Sequence, residues 1–71
     1  MQYDKDHEAL ELKRRARADY RQCGNAIGIH PSLCSQRCLG FIRWQPGERE
    51  RLVKYLQGRI ATMQEAEEVQ G

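Results

Sequence analysis

Cys23, His30, Cys34 and Cys38 follow one another as C-x6-H-x3-C-x3-C within sixteen residues, and four soft ligands this close could in principle hold a zinc ion tetrahedrally. Steps of four set His30, Cys34 and Cys38 along one edge of a helix, with Cys23 facing them from the helix before. The spacing lacks the tight C-x2-C knuckle of common zinc motifs. A cysteine is also a small hydrophobe that fills a core position. The expectation is therefore three free, buried thiols in a reducing compartment, with no metal and no cofactor, and His30 simply opening a helix. Catalysis has less to work with. No second histidine or acid is placed to activate a cysteine, no carboxylates are paired, and no glycine loop could cradle a phosphate, so no enzymatic activity is expected.

Four helices would have to position these residues. Asp4 or Asp6 can cap a first helix, over about residues 6–18, whose apolar stripe is Ala9, Leu12 and Ala16 with Tyr20 just beyond. Asp19, followed three residues later by Gln22, resembles a capping box and starts a second helix over 20–27. Gly28 suits the left-handed residue that ends it, and Ile29 can then drop into the core. Pro31 fits the first turn of a third helix over 31–39, with Gly40 as its stop. Phe41, Ile42 and Trp44 make the following loop too apolar to be wholly exposed. The last helix, over about 47–65, carries Glu48 and Glu50 where the helix dipole favours acids. Its stripe of Leu52, Leu56, Ile60 and Met63 is long for so small a body, which makes Leu56, Ile60 and Met63 the expected dimer interface. No stretch alternates as a strand would. The fold class is all-α: one small four-helix domain over 1–71 with short, flexible, acidic ends.

The second and third helices, read as Arg21 to Leu39 (RQCGNAIGIHPSLCSQRCL), have the spacing of a helix-turn-helix. Gly24, Gly28-Ile29, His30-Pro31-Ser32-Leu33-Cys34-Ser35-Gln36, Gly40 and Pro46-Gly47-Glu48 together resemble the lambda-repressor-like and Cro-like regulators. Two positions depart from that pattern. Gly24 stands where the family carries alanine, and Arg37 stands where it buries an aliphatic residue. The resemblance implies a sequence-specific DNA-binding transcriptional regulator of the phage-type or mobile-element, repressor-like kind. On a helical wheel the face away from Cys34 and Cys38 holds Ser32, Ser35, Gln36 and Leu39, and Leu33 stands at its flank. Of these, Ser32, Gln36, Leu33 and Ser35 are the expected base readers: glutamine can bond adenine twice, and Leu33 can touch a thymine methyl. Arg21, Gln22, Asn25, His30, Arg37 and Arg43 are the expected phosphate contacts.

Charge segregation agrees with a polyanionic partner. Residues 12–59 hold eleven Lys or Arg against three acids, a net charge of +8, although the whole chain of 71 residues carries only +2. No run approaches the roughly 20 apolar residues of a membrane span, so a cytoplasmic protein without a membrane partner is expected. The expected partners are double-stranded DNA and a second copy in a homodimer. A different class of function stays open: a small helical modulator that binds another protein through the apolar loop of Phe41, Ile42 and Trp44.

Overall fold

In a computed structural model, which describes residues 3–70, four helices follow the chain: α1 (His7–Arg15), α2 (Tyr20–Ile27), α3 (Pro31–Leu39) and α4 (Glu48–Gln70). No strand occurs among the described residues, and no helix is long and apolar enough to cross a membrane. The fold is all-α, as the periodicity requires.

The bounds of α2 and α3 follow from local chemistry. Asp19 accepts from the Gln22 amide at 2.8 Å while Gln22 Oε1 accepts from the Asp19 amide at 3.1 Å, closing the capping box. Gly28, at φ 79°, ends α2, and Gly40, at φ 87°, ends α3. The first helix is shorter than its stripe predicts. It stops at Arg15 because Arg17 takes φ 53°, so that the Arg17 amide donates to Arg14 O and the Ala18 amide to Lys13 O, both at 3.1 Å. That is a Schellman cap without glycine. Arg59 of α4 holds it from outside, donating to Ala16 O at 3.1 Å and 3.3 Å, and Ala18 turns into the core. The last helix is longer than expected, running to Gln70 through the acidic end rather than stopping at 65. At the other end, Tyr3 and Asp6 donate their amides to Gly40 O and Cys38 O, which lays residues 3–6 against the end of α3. Residues 1, 2 and 71 of the expected flexible ends lie outside the described residues.

The core is built from small side chains: Ala9, Ala16 and Ala18, the three cysteines, Ile27, Leu52 and Leu56. Leu56 is 0% exposed, so it cannot belong to a dimer interface in this fold; its face of α4 is consumed by the molecule's own core. Ile60 packs on the edge of that core, and Met63 is half-buried beyond it. Trp44 packs back from the loop, whereas Phe41 stays 51% exposed.

One carboxylate joins three elements. Asp6 caps α1 by accepting from the Ala9 amide at 3.1 Å, takes Nε1 of Trp44 at 3.0 Å, and receives Arg49 of α4 through Nε at 2.6 Å and Nη2 at 3.1 Å. Burial by itself would raise its pKa, but the Arg49 and Ala9 hydrogen bonds, with the Arg49 charge and Trp44, hold it below the ordinary 3.8. A depressed folded-state pKa contributes stability that is present above the unfolded value and is lost as pH falls through the folded one. The melting temperature should therefore drop steeply below about pH 4. Asp6→Ala should cost about 2–3 kcal/mol at pH 7 and flatten that acid limb, as measured by thermal unfolding across pH.

Candidate nucleic-acid interface

The α2–α3 pair is set at close range by Gly24. An ideal Cβ on it would stand 2.7 Å from Ile29 O and 3.1 Å from Pro31 N, so a bare α-carbon lets α2 touch the turn and the first residue of α3. The turn then hands over to a third helix that is capped at both ends. His30 is its N-cap: Nδ1 accepts from the Ser32 amide at 3.1 Å and lies 2.8 Å from Ser32 Oγ. With Nδ1 serving as acceptor, the proton of the neutral ring sits on Nε2.

Cys34 and Cys38 form the inner edge of α3 and meet Cys23 of α2, and all three are buried free thiols. The three thiols shift one another's ionisation. Cys34 beside it and burial push the Cys23 thiol far above the ordinary range. Cys34, drawn down by Cys23 but raised more by Cys38 and burial, reaches about 11. Cys38 is lowered, chiefly by Cys34. Buried thiols of this kind pack as small hydrophobes and are protected from reagents. His30 is not with them. It is exposed at the N-cap of α3, bonded to Ser32, and no group of three or more His, Cys, Asp or Glu among the described residues is arranged to hold a metal ion. The tetrahedral set suggested by C-x6-H-x3-C-x3-C is not brought together.

The outer face of α3 carries the expected base readers. Ser32 and Leu33 are exposed, while Ser35 and Gln36 are half-buried. Ser35 Oγ donates to Ser32 O at 3.2 Å, so its hydroxyl proton is already held by its own helix and it has only lone pairs to offer. Ser32 shares its hydroxyl with His30. Of the four, Gln36 keeps the freest hydrogen-bonding end.

Of the expected phosphate contacts, Arg21, Gln22 and Asn25 are exposed on α2, and Arg43 is exposed in the loop after α3. Arg21 and Arg43 take part in none of the four ion pairs among the described residues. Gln22 uses Oε1 in the capping box and retains its amide donors.

Arg37 is a correction. It is 9% exposed and its Nε stands 2.7 Å from Glu48 Oε1, whose side chain is 8% exposed. This is a buried ion pair between α3 and the start of α4, not a phosphate contact. The contact is close but poorly aligned, leaving Nε and Nη1 without a hydrogen-bond acceptor. Position 37 lies 60° from Cys34 on the helical wheel, on the core side, at roughly 100° per residue. Its partner eleven residues on left no mark in the local pattern.

Neither a family model, a curated protein nor a solved structure matches the chain.

Proposed function

We propose that this chain is a sequence-specific DNA-binding regulator whose α3 enters the major groove. The observation that carries the reading is the polar edge of α3, with an exposed Ser32 and a half-buried Gln36 whose amide is free of side-chain bonds among the described residues, on a helix capped at both ends. Arg21 on α2 and Arg43 in the loop after α3 are exposed, and neither belongs to an ion pair among the described residues. Gln36 can reach a base edge through a bidentate amide, while Ser32 and Leu33 adapt to what lies beside it. Arg21, Gln22 and Asn25 near the start of α2, His30 Nε2–H at the start of α3, and Arg43 beyond its end then lie along the phosphates.

The alternative, a modulator that binds a protein through its apolar loop, draws on the exposed Phe41, but Trp44 of the same loop packs back against the core. Titration of a random duplex at two salt concentrations separates the readings. Binding at about 50 mM salt that weakens steeply by 200 mM is expected. In Arg21→Ala/Arg43→Ala the slope of log affinity against log salt should shrink by about 2. No binding at the lower salt would favour the protein-binding alternative.

A further inference from the structure

The second half of α4 and the groove beside it make a matched pair. Between the end of α2 and α4 runs an open groove of about 880 Å3, whose lining includes Ala26, Tyr55, Gly58 and Met63. Arg51, Lys54 and Arg59 stand along it, and no carboxylate lines it. Arg51 donates to Ile27 O at 3.4 Å and Arg59 to Ala16 O, both neutral carbonyls, and Lys54 is exposed. None of the three belongs to an ion pair among the described residues.

The same helix carries the complement. From Ile60 to the end of the chain there is no Lys or Arg and there are three Glu. Ile60 of this part stays at the edge of the core, Met63 is half-buried, and Gln64 and Glu67 share a shallow pocket with Arg15 and Arg17. Ala61, Thr62 and Gln64 to Glu67 are exposed at one end of a molecule that measures 45 × 21 × 18 Å. Arg51, Lys54, Gly58, Ala61 and Glu65 recur at alternating steps of three and four along one face, two cations, two small residues and an acid in order. Gly58 sits in the interior of this 23-residue helix, where glycine is costly, and a Cβ on it would meet nothing within 4 Å. The fold of one chain gives it no reason to be bare.

We infer that the occupant of the groove is α4 of a second copy, running antiparallel about a two-fold axis near residues 59 and 60. In that register Lys54 of each chain faces Glu65 of the other and Gly58 faces Ala61, so two backbones approach closely at the centre. Each acidic end lies along the other chain's cations. The interface is isologous, so it closes at two chains. It uses the side of α4 opposite Leu56, and it stands apart from the DNA reading because association occurs without nucleic acid.

Sedimentation equilibrium of the full chain alone tests it. At about 100 µM and low salt the mass should be that of two chains, falling toward one as salt screens the pairs. Lys54→Glu and Glu65→Lys should each weaken association about tenfold, since each change affects two pairs, and the double variant should recover it. Both side chains are exposed, so the fold is kept. Gly58→Leu should abolish the dimer while leaving the helical circular dichroism unchanged. A one-chain mass for the wild type, a double charge reversal no tighter than the single variants, or a Gly58→Leu protein that still pairs would overturn the inference.

Discussion

Glu48→Ala is expected to destabilise the domain by about 3–5 kcal/mol, because it leaves the guanidinium of Arg37 buried without its counter-charge. Arg37 and Glu48 side chains are 9% and 8% exposed, and the 2.7 Å contact is the only ionic partner Arg37 has among the described residues. Glu48 also accepts from the Gln45 amide at 2.8 Å, so the same change frees the chain just before α4. Small domains have only about 5–15 kcal/mol in total, and a core made largely of alanines and cysteines belongs at the lower end. The variant should therefore keep no more than about 2 kcal/mol of stability at room temperature. Removing both charges gives a different result. Arg37→Met/Glu48→Gln should lie within about 1 kcal/mol of the wild type, since an apolar or neutral filling avoids the desolvation of two ions. Urea unfolding followed by circular dichroism distinguishes these outcomes. A loss under 1 kcal/mol for Glu48→Ala would mean that the pair is solvated. The double variant serves a second purpose: if Arg37 is structural, its DNA binding should keep the wild-type salt slope.

Gly24→Ala should lower stability by about 2 kcal/mol, although helix propensity alone predicts a gain of about 1. The new methyl would stand 2.7 Å from Ile29 O and within 3.2 Å of Pro31 N and Cα. These are backbone atoms and cannot rotate aside. Relief requires α2 and α3 to separate, which also disturbs the close-packed thiols between them. Gly58→Ala is the internal control. It is a helical glycine with open space around it, and in dilute protein it should gain up to about 1 kcal/mol. Opposite signs in the two melting curves would show that contact, not propensity, decides at Gly24; equal gains would contradict the close approach.

What the sequence discloses and what it hides divide along local and non-local chemistry. The bounds of α2 and α3 are legible because Asp19, Gln22, Gly28, Pro31 and Gly40 each act within a few residues of themselves. The end of α1 is not, since Arg17 adopts a conformation that glycine usually takes, held there by Arg59 from a distant helix. The acidic end was legible as charge but not as helix, for nothing between residues 60 and 70 stops α4. In the candidate site the cysteines read correctly as core from their spacing and small size. The role of Arg37 depends on a partner across the fold, as does the need for glycine at position 24. The stripe through Leu52, Leu56 and Ile60 is legible as apolar, but a periodicity does not say which surface covers it, and at Leu56 that surface is the molecule's own core.

The central claim is that Ser32 and Gln36 read bases from α3, and the most direct measurement is discrimination between duplexes. Wild-type protein should enrich a subset of sequences from a random pool and bind them at least about 1,000-fold tighter than unselected DNA. Ser32→Ala/Gln36→Ala should keep its melting temperature and its affinity for unselected duplex but lose about 10–100-fold of that preference. A wild-type protein that enriches nothing, or a double variant that discriminates as well as the wild type, would contradict it.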